Sequence, residues 1–235
     1  AHAALELAQV IYLQAVDAFG LTALAAEADA LFASLEALVP GQANRSEEQI
    51  AWQQFATPPR LAWLAARACT FSKGDHVLEP SAGTGMLALW AEKAGATLAL
   101  NEISPLRRDC LAAVFPQSQL TGHDAELIDE LLDATVAPSL VLMNPPYSQG
   151  TERGHDGRTG ARHLRSAWNR LTDGGRLVAI MPEWFDSPKF LASINGPVAL
   201  QLNVAIERAF VSQGTAITAR LLVLDKIKAT TQPVI

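Results

Sequence analysis

The hydrophobic positions divide the chain into two regimes. In residues 3–18, Leu5, Val10, Leu13 and Val16 recur at helical spacing among alanines, with Phe19 nearby and Gly20 as a stop. Residues 22–39 repeat the pattern with Leu24, Leu31, Leu35 and Leu38 until Pro40-Gly41 breaks it. This predicts a helical hairpin, an extension over residues 1–45 ahead of a main domain over 46–235. Its apolar stripe needs a cover, either the main domain or another domain or subunit. Ser46-Glu47-Glu48-Gln49 has the form of a capping box opening a short helix to about Phe55, and an apolar helix follows near 59–69. Thr57 before Pro58-Pro59 suits a helix N-cap, or a turn that touches a ligand on a neighbouring loop.

Beyond residue 75 the pattern changes to short apolar runs bounded by turn residues, as in strands buried on both faces. Strands are predicted at His76–Glu79, 97–101, 119–121, 139–143 and 176–181, with helices over 86–93, 125–132 and 161–171. Two β-rich runs, Val198–Ile206 and 216–224, predict an antiparallel hairpin across the polar connection Val211-Ser212-Gln213-Gly214. Residues 148–160 are polar and glycine-rich and predict a mobile loop. The alternation of strands and helices makes the main domain α/β.

Charge and cysteine usage narrow the chemistry. The net charge is −6, and residues 1–50 hold seven acids against Arg45, so the remainder is neutral. A global basic field for nucleic acid is absent. Locally, residues 149–170 hold Arg153, Arg158, Arg162, Arg165 and Arg170 against Glu152 and Asp156, either a solvated face or a phosphate-binding patch. Cys69 and Cys110 lack metal-type spacing and read as free thiols of a reducing cytoplasm, and the histidines are scattered, so no metal is expected. No apolar stretch reaches the length of a membrane span.

Two stretches carry candidate chemistry. The first is Glu79-Pro80-Ser81-Ala82-Gly83-Thr84-Gly85 between a predicted strand and helix, with Glu102 closing the next strand. Glycines there let a ligand lie against the backbone at a helix N-terminus, and a carboxylate at the second strand's end suits ribose hydroxyls. The turn lacks the third glycine of the dinucleotide fingerprint and the lysine of a phosphate loop. Glu79 opposes a pyrophosphate and welcomes a cation, which favours the sulfonium and α-ammonium of S-adenosylmethionine over NAD. Asp124, after the third strand, can accept an adenine amino group, cap the following helix, or do both.

The second stretch is Asn144-Pro145-Pro146-Tyr147 at the end of the fourth strand. The prolines fix two φ angles, remove two donors and hold Asn144 extended. The Asn144 side-chain oxygen and the Pro145 carbonyl can each accept one N–H of a planar amino group and favour a pyramidal nitrogen, while Tyr147 stacks on the flat group. This is positioning and electrostatics more than proton abstraction. Phe210 is either a packed edge residue or a second wall opposite Tyr147.

Taken in this order, the motifs resemble those of the Rossmann-like S-adenosylmethionine-dependent amino-methyltransferases over about residues 50–225. They are most similar to the DNA adenine-N6 members whose cofactor loop precedes the catalytic loop. The resemblance implies a mixed seven-stranded sheet with helices on both faces. It implies that Thr57 meets the methionine carboxylate, that Glu79, Pro80, Ser81, Gly83 and Gly85 line the methionine and ribose, and that Glu102 binds the ribose. Ile103 would lie against the adenine and Asp124 on its amino group. Asn144, Pro145, Pro146 and Tyr147 would hold a flipped-out base beside Phe210. Apart from the resemblance, Arg153, Arg158 and Arg162 of the basic patch are the candidate phosphate contacts, with a solvated loop as the alternative. S-adenosylhomocysteine would be the product. The chain also looks similar to methyltransferase modules fused to helicase-like proteins of phages and plasmids, which implies a cytoplasmic setting and target recognition by other domains or a partner subunit. A glutamine methyltransferase acting on protein, an RNA base amino-methyltransferase and a non-catalytic scaffold are the rival readings.

Overall fold

The computed structural model describes residues 2–16, 20–38, 56–147, 149–151 and 154–228. Two helices, α1 (His2–Ala15) and α2 (Ala25–Ala37), precede α3 (Pro59–Cys69). Then come β1 (His76–Glu79), α4 (Met86–Lys93), β2 (Thr97–Asn101), α5 (Pro105–Val114), β3 (Gln119–Thr121), a 3₁₀ turn (Ala125–Leu127), α6 (Ile128–Leu131) and β4 (Leu140–Met143). The chain continues through β5 (Gln149–Thr151), β6 (Gly154–Asp156), α7 (Thr159–Arg170), β7 (Arg176–Pro182), α8 (Ser187–Leu191), β8 (Val198–Ile206), a 3₁₀ turn (Val211–Gln213) and β9 (Ala219–Lys226).

Seven strands form one sheet in the order β3-β2-β1-β4-β7-β9-β8. The neighbours from β3 to β7 are parallel, and β9 runs antiparallel to both β7 and β8. The strand order reverses between β1 and β4, and the crevice at the carboxyl ends of such strands is where open α/β sheets bind ligands. Both candidate motifs leave the sheet at that place, one after β1 and the other after β4.

Successive β4 residues face opposite cores, which is why the strand reads as an unbroken apolar run. Leu140 and Leu142 join one cluster, with Trp63, Leu87 and Trp90; Val141 and Met143 join the other, with Leu164, Trp168 and Leu177. The N-terminal hairpin packs on the first face. Val10, Leu13, Phe32 and Leu35 belong to that cluster, and Phe32 sits 5.9 Å from Trp63 and 6.1 Å from Trp90. Polar ties fix α1 on α4: Gln14 donates to Glu92 at 2.6 Å, and Lys93 to the Val16 carbonyl at 3.1 Å.

Several boundaries differ from the sequence expectation. The helix at 59–69 is capped by Pro58, not Thr57, whose hydroxyl has another partner described below. The last strand starts at Ala219, because the preceding segment turns back through a bond from the Ala209 N–H to the Ile217 carbonyl, 3.0 Å. The loop expected at 148–160 carries a short antiparallel ladder, β5 against β6. The capping box and its helix to Phe55 lie outside the described residues. Among the described residues no helix is long and apolar enough to cross a membrane.

Gly85 shows how the first motif is built. It takes φ = +92° as the N-cap of α4, and a Cβ there would lie 2.3 Å from Cε2 of the buried Phe115 ring. Gly85→Ala combines a left-handed backbone with an overpacked core, so it is expected to destabilise the fold by about 3 kcal/mol. Urea unfolding of the two chains checks this; an unchanged midpoint would contradict the packing assignment.

Candidate active site

A cleft opens at the carboxyl ends of β1, β2 and β4, and two loops set its shape. Asn101 braces them: its Nδ2 donates to the carbonyls of Pro80 (2.9 Å) and His123 (3.0 Å), and its Oδ1 accepts from the Thr121 hydroxyl and the His123 N–H, both 2.8 Å. A wholly buried amide with four bonds fixes the loop after β1 relative to the loop after β3. Glu102 fixes the glycine turn. One carboxylate oxygen accepts from the Gly83 N–H at 2.8 Å and the other from the Ser104 N–H at 2.9 Å.

Acidic groups crowd the cleft floor. Glu79 is buried at the end of β1, and its Oε2 has no hydrogen-bond partner among the described residues. Burial pushes its carboxyl well above the ordinary 4.5; the Ala88 N–H acts against the shift and Glu102 adds to it. Burial also raises Glu102, against the Ser104 N–H and Arg107. The buried Arg107 on α5 stands near a third acid, Glu6 of α1, whose carboxyl is likewise raised by burial and lowered by the guanidinium. The N-terminal helix thus contributes a side chain to the cleft wall.

The tip of β4 forms the opposite wall. Asn144 Nδ2 donates to the Thr57 hydroxyl at 3.0 Å, which orients the amide. Its Oδ1 is buried and has no partner among the described residues. A buried, unmatched acceptor costs free energy that a ligand N–H recovers. The start of α7 packs directly on this loop: a Cβ on Gly160 would lie 3.1 Å from the Pro146 carbonyl. From α7, His163 also reaches the cleft; burial pushes its pKa down to about 4, so the ring is neutral at physiological pH.

Of the residues the sequence nominates, Thr57, Glu79, Pro80, Ser81, Gly83, Glu102, Ile103, Asp124 and Asn144 to Tyr147 all line this one cleft. Asp124 also caps the 3₁₀ turn by accepting from the Glu126 N–H at 3.0 Å. Gly85 lies outside the lining, in the packing role just described. Phe210 is completely buried and meets Tyr147 edge-on, ring centroids 5.9 Å apart at 88°, so no slot for a flat group exists between them. The expected second wall is therefore a packing residue. Arg162 is engaged as well: its guanidinium grips both oxygens of Glu126 at 2.7 Å and Asp156 at 2.8 Å, tying α7 to the 3₁₀ turn instead of reaching for a phosphate. Arg158 is exposed, and Arg153 lies outside the described residues.

Sequence reasoning missed Glu6, Asn101, Arg107, Glu126 and His163. Asn101 had a signal, an amide closing an otherwise apolar strand; the others are brought to the cleft by long-range packing. Among the described residues no group of three or more His, Cys, Asp or Glu side chains is placed to hold a metal ion.

Comparisons with known proteins bear on the fold. No protein-family model matches the chain. Over 123 residues it is 28% identical to the ribosomal RNA small subunit methyltransferase C of Chromohalobacter salexigens, a match covering 52% of this chain and 36% of the relative. The chain thus spans about a third of that relative's length. Its fold is that of a candidate RNA methyltransferase from Pyrococcus horikoshii (TM-score 0.60, 17% identity, 87% of this chain and 98% of the other). TrmN from Thermus thermophilus is also similar in structure (TM-score 0.55, 20% identity, 77% and 52% covered).

Proposed function

We propose that this chain, which carries the Rossmann-like methyltransferase fold, transfers a methyl group from S-adenosylmethionine to the exocyclic amino group of a purine base in RNA. The observation that carries the reading is the buried, unmatched Oδ1 of Asn144 at the tip of β4. The sequence relative and the two structural neighbours named above are described as methyltransferases of RNA or, for TrmN, by name alone, so the substrate class we adopt is RNA rather than the DNA adenine suggested by the motifs.

The cleft fits the cofactor. Glu79, with an unmatched buried oxygen, is suited to a cationic ligand. Glu102 keeps further lone pairs for a ribose diol, with Ile103 against the adenine and Asp124 on its amino group. Thr57, on the same cleft, is our candidate for the methionine carboxylate. When bound, S-adenosylmethionine supplies an electrophilic sulfonium methyl. Asn144 Oδ1 and the Pro145 carbonyl accept the two N–H bonds of the substrate amino group, draw its lone pair out of conjugation and hold it in line. Tyr147, 3% exposed and packed edge-on against Phe210, anchors the loop instead of stacking on the base as its motif position suggested, and Pro146 keeps the loop rigid. The exposed Arg158 offers a phosphate contact at the rim.

A pH dependence follows from Glu79. Its folded pKa is raised, so the folded chain holds this proton more tightly than the unfolded chain does. That contribution is fully present below about 4.5 and is lost as pH rises through the folded value. His163, lowered to about 4 from 6.5, has the opposite sign between those values, so the difference between chains isolates Glu79. Glu79→Gln is expected to raise the melting temperature at pH 8 more than at pH 5, while weakening cofactor binding about tenfold or more. A cationic ligand favours the ionised form, so cofactor affinity of the unaltered chain should rise with pH. Calorimetry at pH 5 and pH 8 tests both; pH-independent affinity would remove Glu79 from the cofactor site.

The substrate class is tested by offering methyl-labelled S-adenosylmethionine with unmodified ribosomal and transfer RNA, duplex DNA and a protein extract in parallel. Label on RNA is expected. Label on DNA alone would restore the DNA reading, and label on protein alone would favour a glutamine side chain.

A further inference from the structure

Trp184 is an exposed indole in the turn after β7. It is 59% exposed, whereas Trp63, Trp90 and Trp168 are buried. The turn that carries it is held firmly. The Phe185 N–H bonds the Pro182 carbonyl at 3.0 Å, Arg220 donates to the Glu183 carbonyl at 3.1 Å, and Phe185 packs on Phe190 with centroids 5.6 Å apart. A large apolar ring held in water on a rigid turn is preorganised to meet a ligand.

Its neighbours say which ligand. Trp184 meets Tyr147 edge-on, with ring centroids 6.1 Å apart and planes at 87°. Tyr147 itself is 3% exposed, with Phe210 and Trp184 both set edge-on against it. Across Trp184 lies the turn that opens α7: a Cβ on Gly157 would stand 3.8 Å from the indole nitrogen, and the next residue is the exposed Arg158. The target base is held at Asn144 and Pro145, which line the cleft, and Trp184 is not among the residues of that lining. One flat base cannot occupy both places.

We infer that Trp184 forms a second base subsite, stacking an unpaired nucleotide adjacent to the target, with Arg158 on the phosphate between the two. This rests on the RNA reading above and deepens it: the substrate is a single-stranded or splayed segment presenting at least two unstacked bases. Aromatic stacking accepts any base, so the subsite selects for strandedness and not for sequence.

The test uses an eight-nucleotide adenosine RNA and the same ribose-phosphate chain with abasic positions in the interior. Adenosine RNA is expected to quench tryptophan emission of the unaltered chain more than that of Trp184→Ala, and Trp184→Ala to weaken its binding about tenfold to a hundredfold with an unchanged salt slope. With the abasic chain, the two proteins should bind alike. Trp184→Phe should recover part of the affinity and keeps the edge contact to Tyr147. Cofactor affinity and melting temperature should hold in both variants. Equal binding of adenosine RNA by the unaltered chain and Trp184→Ala would overturn the subsite, even with label transferred to RNA. No label on any RNA would overturn the functional reading and the subsite with it.

Discussion

Replacing Asn144 by alanine is expected to lower kcat/KM for methyl transfer to RNA by about a thousandfold, with S-adenosylhomocysteine affinity within a few-fold of the unaltered chain. The asymmetry comes from the two ends of one amide. Nδ2 is bound by Thr57 and only orients the group, whereas Oδ1 is buried without a partner among the described residues. The oxygen's work is therefore done on a substrate amino group whose lone pair must leave conjugation. Removing the side chain leaves the Thr57 hydroxyl free to rotate toward water, so the fold should tolerate the change. Steady-state kinetics beside calorimetry separates the effects. A parallel loss of cofactor affinity would place Asn144 in the cofactor site instead.

The second large effect is on Asn101. Asn101→Leu keeps the volume but leaves the Pro80 and His123 carbonyls, the His123 N–H and the Thr121 hydroxyl without their buried partner. The cost is expected at about 4 kcal/mol, a fall in Tm of roughly 8–16 °C. Cofactor affinity should fall too, because the loop after β1 carries Ser81 and Gly83 and the loop after β3 carries Asp124. Differential scanning calorimetry and cofactor titration read the two effects; loss of stability with intact affinity would show that the brace serves folding alone.

The sequence was most legible where one local rule decides the outcome. β2, β4 and β7 are apolar runs because both sheet faces are covered; the spatial order was not legible, since β4 crosses to the far side of β1 from β2. The glycine turn was legible because Gly83 and Gly85 precede an apolar helical stretch. Helix α5 was not: its buried residues are Arg107 and Leu111, and periodicity counts Arg107 as outward-facing.

Side-chain geometry was less legible than topology. Phe210 and Tyr147 do meet, yet whether two rings lie parallel or edge-on depends on packing that no local pattern encodes. Arg162 belonged by charge to a basic patch; Glu126, thirty-six positions away, turns it into a structural tie. The acidic hairpin gave no sign that Glu6 reaches the cleft, because that depends on how α1 seats against α4 and α5. Trp184 follows Pro182-Glu183 at a strand end, and its exposure rather than its position in sequence marks it.

The most direct test of the account locates the methyl group on the product. RNA methylated by the unaltered chain would be digested to nucleosides and resolved by mass spectrometry, beside RNA treated with Asn144→Ala. The account predicts a purine nucleoside methylated on its exocyclic nitrogen, nearly absent with the variant. A methyl group on a ring carbon, a ring nitrogen or a ribose oxygen, formed equally by both proteins, would contradict it.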